Sequence, residues 1–119
     1  MDLEITNIYN ENLQTERVVM TARNACNLNS FVLFDTTYDE EGKVTNKERH
    51  LKAFPTVQLK RGDTVTLYTK VGQNVIPALN PYRPVNYIIY WGLDHKVWNN
   101  DGDRGYLLHY DDYFFYDVQ

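Results

Sequence analysis

Three histidines, one cysteine, one serine and a scatter of carboxylates are the groups here that could do chemistry, and their spacing decides whether they do. His50, His95 and His109 fall on separate elements without a His-x-x-x-His spacing. Zinc asks for three or four convergent ligands, so each histidine reads as a surface or strand residue. Ser30 is the only serine; it has no flanking glycine elbow and no histidine near it in sequence. Cys26 has no second cysteine to pair with and reads as a small buried apolar residue. A reactive thiol would need a cationic, half-exposed setting, and only Arg23 lies near it. Asp111 and Asp112 adjoin on a turn and point apart, and no glycine-rich phosphate loop is present. Asp101-Gly102-Asp103 could open a Ca²⁺ loop, joined by Asp94, Asp111 and Asp112 if the fold brought the loops together. The alternating ligands and terminal glutamate of an EF-hand are absent, so these aspartates read as turn caps. No catalytic residue, cofactor or metal is expected.

Two surfaces compete as binding sites. Lys43, Lys47, Arg49, His50 and Lys52 crowd one predicted hairpin, with Lys60 and Arg61 shortly after. Arg49 shares a strand face with Leu51, while His50 and Lys52 share the other, so the charges form no single plane. Lysines on an edge strand also deter edge-to-edge pairing. The functional alternative is a patch of Lys43, Lys47, Arg49 and Lys52 for an anionic partner, nucleic acid included. A net charge of −4 argues against strong non-specific nucleic-acid binding, which needs a cationic excess. Tyr82, Tyr87, Tyr90 and Tyr113 form the rival surface, suited to stacking sugars or packing a protein partner.

The elements that must position these residues are strands. Ten tyrosines, five phenylalanines and two tryptophans favour strands over helices, and 119 residues suffice for one domain. Leu3, Ile5 and Tyr9 mark a first strand. Glu16 to Arg23 reads as a second, with Val18, Met20 and Ala22 on one face. Phe31 to Thr37 is dense enough to be buried on both faces, and Arg49 to Phe54 is closed by Pro55. Lys60-Arg61-Gly62-Asp63 is a turn in which Gly62 takes positive φ. Thr64 to Thr69 follows, with Val65 and Leu67 inward. Pro77, Pro81 and Pro84 make Val71 to Asn86 a long irregular connection, a kind often functional. Tyr87 to Trp91, Tyr106 to Tyr110 and Tyr113 to Val118 complete the strands, and only Gly92 to Asn99 has helical character. Short alternating runs between turns predict an all-β, immunoglobulin-like antiparallel sandwich of about seven to nine strands.

The segment Tyr90-Trp91-Gly92-Leu93, followed by Val97-Trp98-Asn99-Asn100-Asp101-Gly102-Asp103 and Leu107, resembles the hallmark of the lamin tail domain. Glu16 to Ala22, Leu28 to Leu33, and Leu59-Lys60-Arg61-Gly62-Asp63 with Val65 to Thr69 resemble earlier pieces of that family in the same order. The resemblance covers residues 16 to 110 of a single domain spanning 1–119. It implies an immunoglobulin-like sandwich in which Trp91, Gly92, Trp98, Asn99, Asn100, Asp101, Gly102 and Asp103 are mainly structural. Trp98 would fill the core, the asparagines would satisfy nearby backbone and Gly102 would reverse the chain. There is no heptad rod such as animal lamins carry, and the Pro77 to Pro84 loop has no counterpart in the family pattern.

The resemblance implies a non-enzymatic binding or scaffold module for another protein, part of a larger bacterial protein or assembly. A carbohydrate- or nucleic-acid-binding module using the tyrosines or the basic hairpin is the alternative. Met1-Asp2-Leu3-Glu4 has neither a basic start nor an apolar run, so no signal peptide is read. No run approaches 18 apolar residues, so no membrane insertion is expected. As an excised domain the chain would suit extracellular or surface use.

Overall fold

A computed structural model of the chain describes residues 1–36, 50–77, 82–98 and 103–118. Its strands are β1 (Leu3–Tyr9), β2 (Arg17–Ala22), β3 (Cys26–Asn27), β4 (Phe31–Thr36), β5 (Leu51–Ala53), β6 (Gln58–Leu59), β7 (Thr64–Tyr68), β8 (Asn86–Tyr90) and β9 (Arg104–His109). One 3-10 turn, Leu28–Ser30, leads into β4. The fold is all-β. No α-helix occurs among the described residues, and Gly92 to Trp98, the stretch with helical character in sequence, is irregular. No helix among them is long and apolar enough to cross a membrane.

The strands form where apolar and polar residues alternate, because side chains two apart share a face. Val18, Met20 and Ala22 of β2 are buried, as are Val65 and Leu67 of β7. Their register sets Val18 opposite Leu67 and Met20 opposite Val65, so the two strands present one continuous apolar face. Phe31 and Leu33 of β4, Leu59 of β6 and Ile89 of β8 close on it, with Leu3, Leu28, Val97 and Trp98. Val32 and Phe34 are half-buried rather than enclosed, so β4 is packed mainly on one side. Gly62 holds φ at +91° in the turn before β7.

Several sheets share this core, in the orders β1-β2-β7-β8, β3-β6 and β5-β4-β9. One pairing departs from the antiparallel arrangement that the sequence predicts: β8 runs parallel to β7, with Val65 opposite Tyr87 and Leu67 opposite Ile89. The cause is the long proline-bearing connection. A hairpin turn can only return a strand antiparallel, whereas a crossover of a dozen or more residues can bring the chain back to restart alongside. The early part of that connection then covers the outer edge of β8. Val75 and Ile88 exchange both backbone hydrogen bonds, and Asn74 Oδ1 accepts the Tyr90 N–H at 2.9 Å. An edge treated in this way offers no template for a foreign strand.

Two expectations change. Cys26 is half-buried rather than enclosed; burial first, and then Asp2, push its thiol pKa upward, away from the reactive thiolate. Tyr113 to Val118 has strand-like composition but joins no ladder. Composition makes a segment fit for a pleated surface without supplying its partner.

Candidate functional site

The Trp91–Trp98 segment is positioned by a residue that the sequence reading passed over. Glu16 is fully buried. Its Oε1 accepts from Thr69 Oγ1 and from the Val97 N–H, each at 2.7 Å, and Oε2 accepts from the Trp98 N–H at 3.4 Å. Its backbone is fixed too, its N–H donating to Asn12 O at 2.7 Å and its C=O accepting from the Thr69 N–H at 3.2 Å. The other end of the segment is held by the Gly92 N–H on Lys70 O and the Leu93 N–H on Thr69 O. Gly92 has φ +86°, with open space where a Cβ would stand, so backbone conformation alone requires glycine there.

Trp98 is buried and lies 6.4 Å, ring to ring, from the half-buried Trp91. A Cβ on Gly105 of β9 would come within 3.3 Å of Trp98 Cη2 and 3.2 Å of Ile8 Cδ1. Trp98 thus packs where β9 passes close to β1. Asp103 is half-buried at the entry to β9. Asn99, Asn100, Asp101 and Gly102 lie outside the described residues, as do Lys43, Lys47 and Arg49 of the basic patch expected from the sequence. Lys52 is half-buried and donates through Nζ to Tyr90 O at 3.2 Å. Burial lowers its pKa.

Around Trp91 the fold assembles a chain of side chains distant in sequence. His50 and His95 meet with their Nε2 atoms 3.0 Å apart. His95 Nδ1 lies 2.9 Å from Asp94 Oδ1. That hydrogen bond, ahead of the backbone N–H and the imidazole's charge, holds the Asp94 carboxyl below its usual range. On the other side, His50 Nδ1 is 3.3 Å from Oδ1 of the buried Asp35, and the His50 backbone N–H donates to the same oxygen at 2.6 Å. The Nδ1 contact is out of line for a full hydrogen bond, and Nδ1 has no other partner among the described residues. The Trp91 ring stands edge-on to His50 at 6.3 Å. No group of three or more potential metal-ligating side chains gathers among the described residues.

The tyrosines do not act as one surface. Tyr87 is buried, Tyr90 is half-buried and stacked on Tyr68 at 5.5 Å, and Tyr82 is almost wholly exposed. A different aromatic group is open instead. Tyr113, Phe114, Phe115, Tyr116 and Val118 are 73%, 89%, 73%, 82% and 97% exposed, a density of apolar side chains that the rest of the described surface does not match. Among the described residues, Tyr113 is the ring of this group with an aromatic partner, standing edge-on to Tyr110 at 5.9 Å. Tyr110 is itself anchored, its N–H donating to Ser30 O and its hydroxyl to Asn29 O.

The fold and these sites define an all-β, multi-sheet domain with a pinned tryptophan loop and an open aromatic segment. No protein-family model matches the chain, and no curated protein matches it in sequence.

Proposed function

We propose that this chain is a non-enzymatic binding module, an immunoglobulin-like sandwich related to the lamin tail domain, which engages another protein through Tyr113–Val118. The exposure of that segment carries the reading. Four aromatic rings and a valine amount to several hundred Å² of apolar surface, on the order of 150–250 Å² per ring. A monomer seldom leaves that much open without a use for it. Alternation along an extended chain sets Phe114, Tyr116 and Val118 on one side and Tyr113, Phe115 and Asp117 on the other. A largely apolar segment that joins no ladder among the described residues suits insertion beside a partner's sheet edge. The family relationship rests on the Trp91–Asp103 stretch, and the buried Trp98 is in keeping with it.

The test is a photo-crosslinking residue at position 115, with position 71, equally exposed, as the control. A discrete protein adduct formed at 115, absent at 71 and competed by a peptide of residues 111–119, is the expected result. Absence of such an adduct rejects the reading. Micromolar binding to a glycan or nucleic acid at 150 mM salt, lost in Tyr82→Ala, replaces it with the ligand-binding alternative.

A further inference from the structure

The β5-β4-β9 sheet has an apolar side turned away from the core. Side chains alternate along a strand, so with Phe31 and Leu33 of β4 buried, Val32 and Phe34 point outward. Register completes that outer face. Val32 lies between Ala53 of β5 and Leu108 of β9, and Phe34 lies between Leu51 and Tyr106. Phe34 and Tyr106 stack at 5.3 Å, while Leu51 and Leu108 stay 62% and 50% exposed. An antiparallel sheet with one side in water ordinarily turns polar residues outward. The outer side of the four-stranded sheet mixes Arg17, Thr21, Thr64 and Thr66 among its apolar residues; these two rungs of β5-β4-β9 carry no charge at all. Beyond β9 the chain passes through Tyr110 into the open Tyr113–Val118 segment. One chain thus bears two open apolar surfaces, a flat one and an extended one, and neither covers the other.

We propose that the chain forms a two-fold dimer in which Tyr113–Val118 of each copy lies against the outer face of the other's β5-β4-β9 sheet. This rests on the reading of Tyr113–Val118 as a protein-binding segment and names the protein as a second copy. A partner that took up the segment alone would leave the sheet face open. A two-fold exchange closes both, because every contact made by one copy as donor is repeated with that copy as receiver. The area suffices. Four rings at about 150–250 Å² each amount to roughly 600–1,000 Å² per segment. Two segments then reach roughly 1,200–2,000 Å², the size of a stable protein interface, before the sheet face is added. The charges fall where such an interface tolerates them. Asp111 and Asp112 precede the rings and Asp117 shares its side with Tyr113 and Phe115, so Phe114, Tyr116 and Val118 form the uncharged side that meets the sheet. The segment also leaves from a fixed root, since Tyr110 is held by Ser30 O and Asn29 O. A fixed root reduces the freedom lost on docking.

The experiment is sedimentation equilibrium of the intact chain, repeated for Leu108→Glu, Leu51→Glu, the chain ended after Asp112, and a Val71→Glu control that lies outside both surfaces. The expected result is a species of twice the chain mass with a dimer Kd below about 100 μM. Each glutamate on the sheet face, and the truncation, should weaken it at least about tenfold, while the control leaves it unchanged. Leu51 and Leu108 are both largely open in the monomer, and circular dichroism checks that their variants fold; if Leu108→Glu misfolds, Leu51→Glu decides. A chain that stays monomeric above about 100 μM, or a dimer that survives either the glutamates or the truncation, overturns the proposal. Mass that climbs past the dimer with concentration overturns the two-fold arrangement, since an open-ended contact does not close. If the chain stays monomeric while a crosslinker at position 115 still captures a different protein, self-association alone is rejected and the binding reading stands.

Discussion

A buried carboxylate with no cation beside it is tolerated only when donors saturate its oxygens. Glu16 meets that condition with a hydroxyl and two backbone N–H groups, and so fixes the approach of Trp98 to the core. Its position is legible after the fact, since residue 16 continues the buried alternation of 18, 20 and 22. A charged residue on the apolar side of a strand signals a polar job inside. Glu16→Gln keeps the acceptor at the Oε1 position and should cost about 1–2 kcal/mol; Glu16→Ala strands three donors and should cost about 3 kcal/mol or more. Trp98→Ala should cost about 3–5 kcal/mol, as truncation of a buried aromatic does. Urea unfolding of the three variants measures the series. Wild-type stability in Glu16→Ala would show that the Trp91–Trp98 loop does not depend on the clamp.

Among the elements, Asp63 does for β8 what Glu16 does for the tryptophan loop. It is fully buried, accepts from the Lys60 N–H at 2.8 Å and the Val85 N–H at 3.1 Å, and takes the Arg83 guanidinium as its ion-pair partner. Arg83 also reaches the Tyr87 hydroxyl, and that hydrogen bond, ahead of the Asp63 charge, raises the guanidinium pKa. The residues entering β8 are thus tied to the turn before β7, which aligns the parallel pair. Asp63→Asn removes the charge and one acceptor. It should cost about 2 kcal/mol, the scale of a hydrogen bond to a charged group, and lower the hydrogen-exchange protection of Val85 and Tyr87 more than that of β1 amides. Uniform loss of protection would mean that Asp63 supports the whole core instead. The strands themselves were readable because alternation is local: Val18-Met20-Ala22 and Val65-Leu67 name their buried faces unaided. The direction of β8 was not, because it depends on the route taken through the connection after Thr69. Nor was the meeting of His50 with His95, 45 residues apart, since no local spacing records which loops a fold brings together.

At the scale of the whole molecule, the aromatic segment stands apart from the core that the rest of the chain builds. A strand-like run that joins no sheet is an unmet pairing demand. β9 stands last in the strand order of its sheet among the described residues, and it is the strand that precedes this segment in the chain. Two arrangements would meet the demand: Tyr113–Val118 folding back on β9 through the Asp111-Asp112 bend, or the same segment pairing with another protein. They differ in what truncation does. If the segment lies open in solution, its side chains contribute little to folding, since surface positions away from packed features change stability by about 0.5 kcal/mol or less each. Ending the chain after Asp112 should then move the melting temperature by no more than roughly 3 °C. It should also abolish any concentration-dependent rise in mass seen by light scattering for the intact chain. If the segment folds back as a closing strand, truncation uncovers β9 and removes four buried aromatic contacts. The melting temperature would then fall by well over about 8 °C, and the shortened chain would aggregate through its new edge. The exposure of Phe114 and Tyr116 argues for the first outcome.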